Sequence, residues 1–141
     1  NTSKIISLGE VLWDLFPDGP CFGGAATNFA CHAAALGANV ALVSAVGDDC
    51  RGDKAIEILK HHELDIDLIR RVEGIPTGTV GVALNADGKP TFTIHENSAW
   101  DHIVWSSALE DKIREADAVY FGTIGQRSEV SRATIIRALT L

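Results

Sequence analysis

Two glycines, Gly23 and Gly24, head a run of small residues, CFGGAATNFACHAAALG (residues 21–37), with one carboxamide, Asn28, set among them. A phosphate-cradling loop would need GxxxxGK[ST], and no lysine follows here. A dinucleotide fingerprint would need GxGxxG, which is absent. What remains is a helix start where backbone can approach a ligand closely. Its free N–H groups favour a hydroxyl oxygen or an anion, and a carboxamide both donates and accepts, which suits a sugar hydroxyl. The same residues also read as a tight turn and a small-residue helix packed on a sheet, and the stretch alone leaves both open.

Asp14 lies just past the first apolar strand, on the carboxyl-end rim where open α/β sheets hold ligands. A carboxylate there can accept from two neighbouring hydroxyls, or it is a solvated residue ahead of the turn Pro17-Asp18-Gly19. Gln126 and Arg127, in GTIGQR, follow another core strand and can reach the same rim, although Arg127 reads equally as a surface arginine near a helix start. His95, Glu96 and Asn97 end a hairpin and can tip toward a ligand, but a lone histidine there is more often structural or solvent-exposed. Asp48, Asp49 and Asp53 look like a magnesium cluster at first sight; carboxylates ahead of a helix are more often caps and dipole partners. The pair His61-His62, near a helix end, fits a C-terminal dipole contact.

These residues need elements to position them. KIISLG reads as a short buried strand, and EVLWDLF continues extended to the Pro17-Asp18-Gly19 turn. Residues 25–36 are helical in pattern, with Gly37 as C-terminal cap, and NVALVSAVG is a second buried strand. This order predicts a parallel pair with a right-handed crossover. An amphipathic helix follows, with Ala55, Ile56, Leu59 and Leu64 toward the core. LIRRV is a short strand. TVGVALN and TFTIH alternate and are joined by Ala86-Asp87-Gly88-Lys89, a hairpin signal. Val80, Val82 and Leu84 share one face of its first strand, and Phe92 and Ile94 one face of its second, so that sheet must cover something. A helix capped by Ser106 or Ser107, the strand AVYFGTIG and a helix over RSEVSRATIIRAL complete the α/β rhythm.

The chain has 141 residues, 46% of them apolar, enough for one domain with a real core. A net charge of −7 without clustered Lys and Arg argues against nucleic acid as a partner, and no stretch approaches the ~20 apolar residues of a membrane span. Cys21, Cys31 and Cys50 fit neither a zinc spacing nor a closed disulfide set, which suggests a reducing compartment, with Cys31 expected as a buried thiol. The last strand and helix lead to no further strand, so the chain is expected to be the N-terminal part of a longer protein.

GEVLWDLFPDG, GGAATNFACHAAALG, VSAVGDDCRGD, PTGTVGVALNADGKPTFTIHENSAWD and FGTIGQRSEVSR occur in this order. Together they resemble the N-terminal half of the PfkB/ribokinase carbohydrate kinases, most nearly the fructokinase branch. The resemblance implies a partial ribokinase fold: an α/β, Rossmann-like core (about 1–11, 23–67 and 98–141) with an inserted antiparallel β-sheet lid (about 12–22 and 68–97). It implies that Asp14, Gly23, Gly24 and Asn28 contact sugar hydroxyls, with Gln126 and Arg127 near the sugar. It further implies ATP and Mg²⁺, bound mainly outside this chain, a cytoplasmic protein and a homodimer paired through the lid sheet. The DTxGAGD-type signature that supplies the general base is absent, so no catalytic or metal-binding residue is assigned here. Fructose is the expected acceptor. Ribose, 2-keto-3-deoxygluconate or a nucleoside are alternatives, as is a non-catalytic sugar-binding module.

Overall fold

Two runs of β-branched and aliphatic residues, Lys4–Leu8 (β1) and Asn39–Gly47 (β4), form the centre of the protein. They are buried on both faces, as near-continuous apolar strands of a parallel sheet must be. The computed structural model describes residues 2–141. In it β1 pairs in parallel with β4 and with Ala118–Phe121 (β8), and β4 pairs in parallel with Ile69–Val72 (β5), giving the order β5-β4-β1-β8. Side chains alternate across β4: Val40, Leu42 and Val46 enter one cluster with Ala26, Ala30, Ala55 and Leu59, whereas Ala41 and Val43 enter another with Ile103, Leu109, Ile113 and Ile135. The helices Ala25–Ala35 (α1) and Cys50–Lys60 (α2) therefore cover one face, and Ser107–Arg114 (α3) and Glu129–Leu139 (α4) the other. Leu8, Leu42 and Leu59 are fully buried, and each such side chain contributes about 1.5–3 kcal/mol of transfer free energy.

The helix starts follow from local chemistry. The Asp49 carboxylate accepts the Gly52 N–H, the Ser106 hydroxyl that of Leu109, and the Ser128 hydroxyl that of Ser131. α1 is different, because its N-cap, Gly24, has no side chain to offer.

A second sheet stands beside the first: Leu12–Phe16 (β2), Gly19–Gly23 (β3), Gly78–Leu84 (β6) and Pro90–Ile94 (β7), in the order β3-β2-β6-β7. Two expectations are corrected here. The inserted sheet is mixed rather than antiparallel: each hairpin is antiparallel within itself, but β2 and β6 leave the core side by side and pair in parallel. The segment near 68–72, expected in the lid, forms β5 in the core sheet, where Val72 packs with Ala45 and Ala99. Cys31, expected as buried, is half-buried; burial still pushes its thiol up.

The lid's apolar face is buried on the inner strand, short of its end at Leu84, and exposed on the edge strand opposite it. Val80 and Val82 are buried, while Leu84, Phe92 and Ile94 are exposed on the same face. The hairpin is tied to the core at Thr77, whose N–H donates to Asp49 Oδ2 (2.8 Å) and whose hydroxyl donates to Asp49 Oδ1 (2.7 Å). Burial pushes the Asp49 carboxyl up, but the Thr77 hydroxyl, the Thr77 and Gly52 amides and the nearby Arg51 charge outweigh it and hold the group below the usual range.

One carboxylate thus caps α2 and anchors the lid. Asp49→Ala is expected to cost about 2 kcal/mol, a cap plus a charged hydrogen bond, read by urea denaturation. Because the folded value is the lower one, Asp49 stabilises above the ordinary carboxylate range and loses that contribution as pH falls through its folded value. The difference between variant and wild type should therefore shrink below about pH 4.

Candidate sugar site at the start of the first helix

Glu10 follows the end of β1, and its backbone carbonyl lies where a side chain on Gly24 would stand: a Cβ there would fall 2.5 Å from that oxygen. Gly24 also has φ +110°, so it is a glycine for two independent reasons. The chain can then bend from β3 into α1 hard against the end of β1. Four contacts fasten this bend. The Glu10 carboxylate accepts the Ala25 N–H at 2.8 Å. The Thr27 hydroxyl donates to the Glu10 carbonyl at 2.8 Å, the Ser7 hydroxyl donates to the Ala26 carbonyl at 2.8 Å, and Ala26 packs directly on Gly9. Glu10 is buried, and its Oε2 has no partner among the described residues.

The bend sets the candidate residues. A Cβ on Gly23 would lie 3.5 Å from Asp14 Oδ2 and 3.8–3.9 Å from the Asn28 carboxamide atoms. The absent side chain thus leaves a recess on which one carboxylate and one carboxamide converge. Asp14 comes from β2, opposite Cys21 of β3 and Val80 of β6. Asn28 is exposed on the first turn of α1, with its N–H on the Gly24 carbonyl. Burial pushes the Asp14 carboxyl up, because part of its hydration is lost. A carboxylate short of hydration beside an amide that donates and accepts is suited to a polyhydroxyl ligand.

Gln126 and Arg127 reach the same edge of the core sheet, since a Cβ on Gly125 would touch the Gly9 Cα at 3.5 Å. Their side chains have partners already. Gln126 Nε2 donates to the Gly122 carbonyl at 3.1 Å. Arg127 donates from Nε and Nη2 to Asp101 (2.9 and 2.8 Å) and from Nη2 to the His95 carbonyl (2.7 Å). A cleft of about 420 Å³ opens beside it, lined by residues including Glu96, Asn97 and His102. His95 places its Nδ1 against the Thr79 hydroxyl. Asp49 is a helix cap, as expected, and Asp53 pairs with Arg71. Among the described residues no three His, Cys, Asp or Glu side chains gather as a metal ion would need.

The sequence reading did not single out Glu10, Asp101 or Trp100. The partners that matter here lie 15 or more residues away for Glu10 and for the Arg127 contacts of Asp101 and Trp100, although Asp101 also closes a local capping box with Ser98, a signal the pattern Ser98-x-x-Asp101 carried. The signal in hindsight is the pairing of a buried acid with a glycine-led helix that lacks a Ser, Thr, Asp or Asn cap.

A profile of the family described as pfkB family carbohydrate kinase matches residues 21–140. Among curated proteins the chain is similar to probable fructokinase-5 of Arabidopsis thaliana, at 30% identity over 99% of this chain and 47% of that protein. It is also similar to a fructokinase of Escherichia coli, at 30% identity over 99% of this chain and 47% of that protein. It superposes on the uncharacterized sugar kinase from Pyrococcus horikoshii solved in complex with ATP, with TM-score 0.83 and 30% identity over 96% of this chain and 48% of that one. A fructokinase from Halothermothrix orenii shares the fold at TM-score 0.85 and 23% identity, over 97% of this chain and 52% of that one. The chain spans about half the length of the curated relatives it matches.

The two glycines separate by substitution. Gly24→Ala meets backbone and a positive φ, and is expected to lose at least about 2 kcal/mol of stability in thermal or urea unfolding. Gly23→Ala adds a methyl at ordinary contact distance, so the protein should fold normally while the recess between Asp14 and Asn28 shrinks. Calorimetric titration with sugar would register this as weakened binding.

Proposed function

The chain belongs to the pfkB family of carbohydrate kinases, and on that premise we propose that the whole protein transfers the γ-phosphoryl group of ATP to an alcohol group of a sugar, with fructose as the acceptor. The observation that carries the proposal is the recess over Gly23, where the Asp14 carboxylate and the Asn28 carboxamide converge. The fructokinase names of the relatives favour the ketose.

Phosphoryl transfer asks little covalent chemistry of the protein; it asks for in-line positioning, charge stabilisation and exclusion of water. This chain's share is the acceptor. Asp14 accepts hydrogen bonds from sugar hydroxyls, Asn28 accepts and donates, and the backbone at Gly23 and Gly24 lets the sugar lie close to the sheet edge. The mixed sheet that carries Asp14 also bears Val80 on the same face, with Ile94 beside it. Lowered over the sugar, that face would keep water from replacing the acceptor hydroxyl. ATP and Mg²⁺ belong to the reaction, but the residues described here present neither a phosphate loop nor a metal-ligand cluster for them. We assign the nucleotide, the metal and the general base to the portion of the relatives that this chain does not span. Exposed Leu84, Phe92 and Ile94 on the lid support a homodimer paired there, and three free cysteines support a cytoplasmic setting.

Asp14 pays for its position. A carboxyl whose folded value is raised binds protons more readily in the folded protein, so stability falls as pH rises through that window and the ionised group opposes folding at neutral pH. Asp14→Asn should therefore hold or raise stability while it loses charged hydrogen bonds of about 1.5–3 kcal/mol, or roughly 10- to 100-fold in sugar KM. Sugar hydroxyls stabilise the ionised form, so the wild-type KM should climb as pH falls toward Asp14's raised value, from above the ordinary ~3.9. Steady-state kinetics of the full-length protein with a panel of sugars tests this. An unchanged sugar KM in Asp14→Asn would remove Asp14 from the site, and dominant turnover of ribose, 2-keto-3-deoxygluconate or a nucleoside would replace fructose.

A further inference from the structure

We propose that Arg127 is a positioning residue for the sugar site: it fixes the root of the lid, and through the lid the carboxylate of Asp14, without itself touching the sugar. The functional half of this inference rests on the sugar-kinase reading above.

The geometry centres on one guanidinium. Arg127 grips Asp101 with two bonds, Nε to Oδ1 at 2.9 Å and Nη2 to Oδ2 at 2.8 Å. Such a fork fixes orientation as well as distance. Nη2 also donates to the His95 carbonyl at 2.7 Å. His95 is the residue that follows β7, and its own N–H donates to Thr79 of β6. The returning strand of the lid is thus held at its last rung. Asp101 is buried, and its Oδ2 also accepts the Ser98 N–H at 2.9 Å, which fixes the turn that carries the chain back to the core.

The other strand of the lid is reached through Trp100. The guanidinium lies 4.0 Å from the centre of its indole ring. The same indole fills the place of a side chain on Gly78, where a Cβ would fall 2.5 Å from Trp100 Cδ1 and Nε1. Gly78 opens β6 and pairs with Leu12 of β2, and two residues further along the ladder Asp14 pairs with Val80. A shift of the ring against Gly78 must therefore move the strand that bears Asp14. Both roots of the lid meet a single cation, and that cation is rooted just ahead of α4, whose N-cap hydroxyl, Ser128, donates to the Asp101 carbonyl at 2.6 Å. With Nε and Nη2 committed in this way, the residue's work is on the lid.

The test uses Arg127→Lys and Asp101→Asn in the full-length protein, with kinetics in fructose and ATP and amide hydrogen exchange. Arg127→Lys keeps the charge and loses the fork; Asp101→Asn loosens the same clamp from a buried residue whose carboxylate is committed to Arg127 and the Ser98 N–H. Both are expected to raise the fructose KM by about tenfold while the ATP KM moves by less than about threefold. Both should speed exchange in residues 78–84 and 91–95 but leave β1 and β4 protected. If either variant does not fold, Trp100→Phe, which thins the ring beside Gly78 and retains the ion pair, carries the same test. Unchanged lid protection in Arg127→Lys overturns the proposal, and so does a raised fructose KM in Arg127→Lys with wild-type behaviour in Asp101→Asn, which would make Arg127 a direct sugar contact. Wild-type protein that phosphorylates no sugar overturns the kinase reading instead, and the exchange measurement then still decides whether Arg127 holds the lid.

Discussion

The rest of the structure depends on the bend at Gly24, where the first helix is pressed against the end of the central strand. The Glu10 carbonyl occupies the space that any side chain at Gly24 would need, and the Glu10 carboxylate supplies the cap that Gly24 cannot. Ser7 and Thr27 close the same contact from either side with hydrogen bonds to backbone carbonyls. Three things are set by this one junction: the packing of α1 on the sheet through Ala26 and Ala30, the presentation of Asn28, and the return of β3 beside β2. Moving the helix outward by the width of a methyl group would part Asn28 from Asp14.

The protein divides its forces between its layers. The core sheet is held by apolar burial on both faces, which is strong and undirected. The lid is joined to it by the packing of Trp13, Leu15 and Phe22 on the cluster under α1 and α2, and by polar anchors, which are directional: Asp49 at Thr77 on the outgoing strand, and Arg127 with Asp101 on the returning one. Trp13 adds a third, its indole N–H donating to the Arg51 carbonyl at 3.1 Å. This distribution suits a sheet that has to hold an orientation relative to the core. Polar bonds fix angle, whereas apolar packing alone would let the sheet slide. The cost appears at Asp14, where burial keeps a carboxyl short of water.

Local rules were sufficient for much of this. The alternation of apolar residues, Gly37 and the Ser106 cap foretell most of the strands and helices, although β3 carried no such signal and AVYFGTIG is a strand only over Ala118–Phe121, with a helical turn at Ile124–Gln126. The site was half legible. Gly23, Gly24 and Asn28 stand together in sequence, and Asp14 could be placed on the rim because it follows the first strand. The parallel join between β2 and β6 was not legible, because strand direction within a hairpin is local but pairing between hairpins more than 50 residues apart is not. The assignment of residues 69–72 to the core failed in the same way, since a short strand reads alike in either sheet and only the Val72 contacts with Ala45 and Ala99 decide.

The sequence by itself determined the α/β order, the family and the residue types that could meet a sugar, because periodicity, caps and motif spacing are properties of neighbouring positions. Only the tertiary structure decided which of those residues meet. It brought Asp14 and Asn28 to either side of Gly23, and it committed Arg127 to Asp101, His95 and Trp100. The reason is physical. A charged side chain takes its role from the partners that folding brings within about 3 Å, and for Arg127 those partners lie 26 to 32 positions away along the chain.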